Sequence, residues 1–302
     1  MPEPTVLLCP GQGAQSVGMG PAGRDAPAAA HAVFDEAADL LGFDLRALCS
    51  EGPAERLNRT DVAQVAIFTD SVAAYAGLEA TESLPEVVAA AGLSLGEFTA
   101  LHLAGAFSFA DGLRLVKLRG EAMQEAAEAS DGAMVALTGD ATEEAVTALC
   151  DAHRGDGVLV PANYNSPMQV VASGTADACD RLAAAAGDAG LRATKLAVAG
   201  AFHSPLMAPA AERLREALEA VAWSTPRVPV YANVTAAPHE PDPASIRARL
   251  VEQLTAPVRW SQSVQAAAAD GHERFLELPP GKVLGGLMRR IDRSLKVRSA
   301  GA

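Results

Sequence analysis

Short apolar runs alternate along this chain with longer stretches in which apolar residues recur every three or four positions. That alternation predicts strands interleaved with helices, the pattern of an α/β protein. Thr5 to Cys9 is an apolar run ended by Pro10 and the turn Gly11-Gln12-Gly13-Ala14-Gln15, which reads as a buried strand entering a loop. A helix is expected from Asp25, with Pro27 in its first turn, Val33, Phe34, Ala37, Leu40 and Leu41 on one face, and Gly42 as its stop. A second helix begins near Thr60. Glu86 to Ala91 reads as a strand, Gly92 to Gly96 as a turn, and Glu97 onward as a short helix ending near Gly105. Ser108 and Asp111 stand in capping-box spacing and open the next helix, which runs to about Ala129.

From Gly132 to Ala199 the units shorten. They read strand (Met134 to Leu137), helix (Thr142 to His153), strand (Val158 to Ala162), strand (Gln169 to Ala172), helix (Asp177 to Ala186), strand (Arg192 to Val198). This βαββαβ order is the ferredoxin-like arrangement, which closes as its own small sheet with two helices. The expected division is therefore a main catalytic part made of residues 1–130 and 199–302, with a small inserted subdomain at 131–198. After Gly200 longer elements return: a helix from about Met207 to Val221, a strand at Val228 to Asn233, and a helix ending before Pro257.

Composition narrows the function classes. Of 302 residues, 49% are hydrophobic and 20% charged, enough apolar surface for a packed core. The start Met-Pro-Glu-Pro lacks a basic, apolar leader, and no window approaches 18 apolar residues, so a cytoplasmic protein that binds no membrane is expected. A formal charge of −13 argues against nucleic-acid binding, which needs a dense positive face. An anionic partner would have to meet a local basic patch, or else the run Lys282 to Arg298, rich in Lys and Arg, is simply a solvated face. Cys9, Cys49, Cys150 and Cys179 lack paired spacing, so they read as buried free thiols, with no metal site and no disulfide framework.

The turn Gly92-Leu93-Ser94-Leu95-Gly96 lies between a predicted strand and a predicted helix, the context of a nucleophile elbow. Ser94 is then the candidate nucleophile; the alternative is that it merely caps the helix. A serine needs a base, and six histidines compete. His102, eight residues on along the same helix, stands roughly 12 Å from Ser94 at ~1.5 Å per residue. His31 and His153 fall within helices, and His239 and His272 in polar loops, where surface or satisfied-core roles are expected. His203 follows an apolar strand and the break Ala199-Gly200, on a loop where α/β proteins build their sites. An elbow also offers the Leu95 N–H to a developing oxyanion, and the Gly11-Gln12-Gly13 turn offers the Gln12 N–H as a second donor. A dinucleotide fingerprint competes for that turn, but its third glycine position is Ser16. Arg119 interrupts the apolar line of Leu115 and Met123, so it has either an internal carboxylate partner or an anion brought by a ligand.

Together these residues resemble the malonyl-CoA:acyl carrier protein transacylases and the acyltransferase domains of polyketide synthases. The similarity also takes in Thr60 and Gln64, Arg119-Gly120 with Met123-Gln124, Asn163 to Gln169, Gly200 to His203, Gln253 with Pro257 to Trp260, and Pro280 to Leu284. It implies a hydrolase-like main domain with a parallel sheet core and a ferredoxin-like insert. It also implies Ser94 as acylated nucleophile, His203 as base oriented without a third acidic residue, Gln12 and Leu95 as oxyanion donors, and Arg119 as clamp on a malonyl carboxylate. Gln253 supports the histidine, and Phe202, Met123 and Asn163 contact substrate. The implied partners are malonyl-CoA and an acyl carrier protein, with no cofactor and a monomeric enzyme. Two positions depart from the family pattern: Leu93 replaces a frequent histidine, and Pro279 a common glycine. Phe202 resembles the malonyl-selective members. A hydrolase acting on acyl carrier proteins would use the same pair, but neutral acyl chains would leave Arg119 unpaired. A silent docking module would have no use for Ser94, His203 and Gln12.

Overall fold

The computed structural model describes residues 3–21 and 26–300. In chain order the elements are β1 (Pro4–Cys9), α1 (Ala28–Leu41), α2 (Leu45–Glu51), α3 (Ala54–Leu57), α4 (Thr60–Ala80), β2 (Glu86–Gly92), α5 (Leu95–Leu103) and α6 (Phe109–Glu128). There follow β3 (Gly132–Thr138), α7 (Glu143–His153), β4 (Leu159–Ser166), β5 (Gln169–Thr175), α8 (Ala176–Ala185) and β6 (Arg192–Lys195). The last stretch holds α9 (Ala208–Glu219), β7 (Val230–Tyr231), α10 (Pro243–Glu252), α11 (Trp260–Ala269), β8 (Arg274–Glu277), α12 (Val283–Ile291) and β9 (Lys296–Ser299).

A five-stranded parallel sheet in the order β7-β2-β1-β8-β9 forms the centre. Side chains alternate across a strand, so β1 feeds two cores at once. Leu7 and Cys9 join the large cluster with α1, α4, α5 and α6, whereas Val6 and Leu8 pack with Trp260, Val264 and Met288 of α11 and α12. A sheet covered on both faces explains why β1 and β2 read as nearly continuous apolar runs instead of alternating ones.

The second sheet is antiparallel, in the order β4-β5-β3-β6. One face packs on α7 and α8 through Val135, Leu137, Val146, Cys150 and Leu182. Met134, Ala136 and Val171 of β3 and β5 belong instead to the main core. β4 is tied to the segment between α10 and α11: the Tyr164 N–H donates to the Val258 carbonyl (2.9 Å), and the Val258 N–H to the Ala162 carbonyl (2.8 Å).

Several expectations shift. Pro27 sits at the N-cap of α1 and not inside it, while Asp25 lies outside the described residues. Leu95 starts α5, two residues before Glu97. β6 ends at Lys195, so Leu196 to Val198 are not strand, and β7 covers only Val230 and Tyr231. Beyond those ends the ladders thin to single bonds, from the Leu196 N–H to the Met134 carbonyl and from the Ala90 N–H to the Pro229 carbonyl, and apolar composition alone does not extend a strand. The elements α2, α3, α11, β8, α12 and β9 were not anticipated; at four to ten residues each, most are too short for periodicity to register. Ser108 does cap α6, accepting from the Asp111 N–H at 3.1 Å.

Gly92 and Gly96 let β2 turn into α5. A Cβ on Gly92 would overlap the Gly96 carbonyl, and one on Gly96 would overlap the Cys9 carbonyl at the end of β1. Gly96→Ala is therefore expected to destabilise by about 2–4 kcal/mol, because backbone atoms on both sides must shift. Gly286, inside α12 with open space around its Cα, should behave oppositely. Its Ala variant should gain about 0.5–1 kcal/mol from helix propensity. Urea denaturation of the two variants checks both signs.

Candidate active site

The C-terminal ends of adjacent parallel strands supply the site, where such sheets place their ligand crevices. The loop after β1 carries Gln12, the turn after β2 carries Ser94, and the segment after β7 carries Asn233. Ser94 has φ 54° and ψ −103°, a positive-φ conformation that a side chain tolerates only when its surroundings hold it there. The Asn233 amide provides part of that hold. Its Oδ1 accepts from the Ser94 N–H (2.6 Å) and its Nδ2 donates to the Gly92 carbonyl (2.7 Å). Gln253 completes the grip by donating to the Ser94 carbonyl at 3.0 Å.

The Ser94 side chain makes no capping bond to α5. Its Oγ lies instead 2.8 Å from His203 Nε2 and accepts from Arg119 Nη2 at 3.0 Å. His203 also has positive φ, 55°, on the loop following Gly200, where a Cβ would collide with Ala127 of α6. Its Nδ1 is 2.7 Å from the Gln253 carbonyl oxygen. A carbonyl can only accept, so Nδ1 carries the proton and Nε2 presents its lone pair to the serine hydroxyl. The imidazole is thus oriented by a backbone carbonyl, with no acidic residue in contact among its bonds.

Arg119, from α6, is buried beside the serine. Its guanidinium donates to Gln64 Oε1 (2.7 Å), Gln253 Oε1 (2.9 Å) and Ser94 Oγ, and lies over the Phe98 ring at 5.4 Å. Amide and hydroxyl oxygens meet its charge, in place of the internal carboxylate contact that a structural ion pair would require. Its Nε has no partner among the described residues. Burial pulls the Arg119 pKa down to about 10, opposed by the charge of Glu97, and the group remains a cation at neutral pH. Burial, reinforced by the Arg119 charge, pulls His203 down to about 4 despite its bond to the Gln253 carbonyl.

A cleft of about 500 Å³ opens onto Ser94 and His203. Its walls include Gln12, Leu93, Met123, Asn163, Phe202 and Val283. Leu95, Arg119 and Gln253 are buried behind that wall instead of lining it. Leu95 is the first residue of α5, so its N–H belongs to the helix's unpaired first turn beside Ser94. Among the described residues the loop holding Gln12 enters no helix before α1 begins at Ala28, unlike a dinucleotide fingerprint.

Four contributors escaped the sequence reading. Asn233 and Glu97 bracket the turn, Gln64 was noted without a role, and His239, assigned to a polar loop, is buried against Glu97 with Nε2 2.7 Å from Oε1. Only the polarity of Gln64 within apolar α4 could have signalled one of them. The Lys282 to Arg298 run divides between two faces. Arg289, Arg290 and Arg293 join Arg192 around a groove of about 890 Å³, whereas Lys296 and Arg298 line a separate cleft with Arg274. Among the described residues no cluster of His, Cys, Asp and Glu is placed to hold a metal, and no helix is long and apolar enough to cross a membrane. All four cysteines are buried and unpaired, and burial pushes the Cys9 thiol far up.

A serine at a strained strand-to-helix turn, bonded to a histidine beside a buried guanidinium, is the equipment of an acyl-transfer protein. Residues 6–299 match the family described as acyl transferase domain. A malonyl CoA-acyl carrier protein transacylase of Bacillus subtilis is 43% identical over 293 residues, covering 96% of this chain and 91% of that protein. The crystal structure of the corresponding transacylase of Xanthomonas oryzae pv. oryzae superposes with a TM-score of 0.93 at 45% identity, covering 99% and 95% of the two chains. A malonyl-transacylase solved in complex with a type II polyketide synthase acyl carrier protein gives 0.94 at 38% identity, covering 98% and 96%. The chain belongs to the malonyl-CoA:acyl carrier protein transacylase family.

Burial of neutral His203 has a consequence for stability. The unfolded imidazole titrates near 6.5 and the folded one near 4, so between those values the unfolded state binds more protons and stability falls as pH falls. Lowering the pH from 7 to 4.5 should cost wild type about 2 kcal/mol more than His203→Gln, which lacks the group. Denaturant titrations of both proteins at the two pH values measure the difference. Equal losses would place the His203 titration at its ordinary value.

Proposed function

We propose that this protein transfers a malonyl group from malonyl-CoA to the phosphopantetheine thiol of an acyl carrier protein through an ester on Ser94, supplying extender units for fatty acid or polyketide synthesis. The observation that carries the substrate class is Arg119: a buried cation, bonded to Ser94 Oγ and otherwise met by amide oxygens, is placed for the free carboxylate of a malonyl group. A planar guanidinium can pair that carboxylate through two parallel N–H bonds. A neutral acyl chain would leave the charge unanswered.

In the first half-reaction His203 Nε2 takes the Ser94 hydroxyl proton as Oγ attacks the thioester carbonyl. The N–H groups of Gln12 and Leu95 receive the oxyanion, and His203 returns the proton to the departing CoA sulfur. The second half-reaction repeats these steps in reverse, with the carrier thiol attacking the malonyl-Ser94 ester. Met123, Asn163 and Phe202 in the cleft wall contact the acyl group, and Gln253 holds His203, Arg119 and the Ser94 carbonyl together. This scheme needs no cofactor or metal. Leu93, in the family's frequent histidine position, gives the cleft an apolar neighbour to Ser94 and leaves the Ser94–His203 pair in place.

In this reading, residues 1–130 and 199–302 form a hydrolase-like catalytic subdomain with Ser94 on its nucleophile elbow. Residues 131–198 form a ferredoxin-like subdomain, supported by the strand order β4-β5-β3-β6 and its separate apolar cluster. The enzyme acts as a cytoplasmic monomer.

Brief exposure to malonyl-CoA should leave a malonyl ester on Ser94, visible in intact mass and absent from Ser94→Ala. Arg119→Ala should lose about 30-fold to several thousand-fold in that acylation, the effect of breaking a desolvated charge pair. Acetyl transfer should fall far less. Equal losses for the two thioesters would return the substrate to an unspecified acyl group.

The carrier should approach along α12, which gives Val283 and Leu287 to the serine cleft and Arg289 and Arg290 to the neighbouring basic groove. Charge reversal at Arg289, Arg290 and Arg293 is expected to raise KM for an acidic carrier, chiefly through slower association, and to leave acylation by malonyl-CoA intact. Carrier kinetics at two salt concentrations test this surface.

A further inference from the structure

Glu97 is fully buried three residues after Ser94, yet it touches none of the atoms that react in the scheme above. Its carboxylate meets three hydrogen-bond partners. Oε2 accepts from the Asn233 backbone N–H at 3.1 Å and from Gln253 Nε2 at 2.6 Å, while Oε1 lies 2.7 Å from His239 Nε2. A carboxylate only accepts, so His239 Nε2 carries a proton toward Glu97. The His239 side chain is itself 1% exposed.

The residues that Glu97 holds are those that hold Ser94. Asn233 binds the Ser94 N–H and the Gly92 carbonyl, and Gln253 binds the Ser94 carbonyl. Gln253 also fixes the His203 ring through its backbone carbonyl and Arg119 through Oε1. One carboxylate therefore sits behind both residues that pin the nucleophile, behind the one that orients the base, and behind one of the two amides that hold the guanidinium. Serine at φ 54° relaxes unless both sides of the turn are pinned, and Glu97 holds both residues that pin it, Gln253 by its side-chain amide and Asn233 by its backbone N–H.

We infer that Glu97, held by His239, is the positioning residue of this site: it locks Asn233 and Gln253 so that Ser94 stays in its strained, reactive conformation. The inference rests on the reading of Ser94 as nucleophile. It assigns His239 a task that its place in a polar loop does not suggest. His239 lies between Glu97 and a surface pocket of about 260 Å³ that it lines with Arg227 and Pro238.

Glu97→Gln is the decisive variant, because one acceptor oxygen becomes an NH2 group facing donors already aimed at that point. Two readouts separate positioning from binding and from bulk stability. The first is the rate of Ser94 modification by a serine-directed phosphonofluoridate, located by mass spectrometry. The second is single-turnover acylation by malonyl-CoA, which gives a maximal rate and an apparent substrate affinity. Folded Glu97→Gln should be modified about 100-fold more slowly, and its maximal acylation rate should fall similarly, with apparent affinity within about threefold of wild type. His239→Gln, whose amide can still donate to Glu97, should stay within about threefold of wild type, while His239→Ala should slow at least about tenfold. Modification of Ser94 at the wild-type rate in folded Glu97→Gln overturns the inference alone. A wild-type label that lands on another residue overturns the nucleophile reading and this inference with it. Should Glu97→Gln fail to fold, the two His239 variants decide: a gap between them supports the role, and equal rates reject it.

Discussion

The rest of the molecule is arranged around a backbone that is forced into an unfavourable shape at one residue. Between β2 and α5 the chain must reverse within a few residues, against the end of β1, with Ser94 at φ 54°. Gly92 and Gly96 make the approach sterically possible, since a Cβ at either position would overlap main-chain carbonyls. Possibility is not stability, however. A serine at positive φ persists here because the Asn233 and Gln253 amides bond its N–H and its carbonyl.

That constraint links the chemistry to the core. Buried Glu97 accepts from the Gln253 side-chain amide and the Asn233 backbone N–H, and Gln253 also bonds His203 and Arg119, so strain, imidazole orientation and cation placement share one network. Within it the charges are unequal in cost. Burial favours a neutral imidazole and weakens the proton affinity of Arg119, but a guanidinium starts so high that it stays ionised. The result is a neutral imidazole and a permanent cation on the same hydroxyl, the combination that the proposed transfer of an anionic acyl group uses.

The antiparallel sheet closes the other side of the cleft. Met134 and Val171 point from it toward the serine, and Asn163 sits where β4 bridges to Val258. The cleft therefore lies between two separately organised sheets, with β4 bonded to the segment that leads into α11. Met134, Val171 and Asn163 line it from one side, and Ser94 and His203 with Leu93, Met123 and Val283 from the other.

What the sequence determined by itself was local and chemical. Continuous apolar runs marked β1 and β2, the glycine spacing around Ser94 marked a sharp turn, and the order of short elements from 132 to 195 matched the antiparallel sheet. Ser94, His203 and Arg119 stood out because a serine in a turn, a histidine after a glycine break and an arginine in an apolar stripe are each locally unusual. Tertiary structure alone decided that these three share hydrogen bonds, across 109 residues for Ser94 and His203 and 25 for Ser94 and Arg119. It alone recruited Asn233, Glu97 and His239, ordinary polar residues in their own segments whose burial arises from distant elements. It also shortened β6 and β7, because a strand needs a partner's backbone as well as its own apolar side chains, and a single stretch of sequence does not contain that partner.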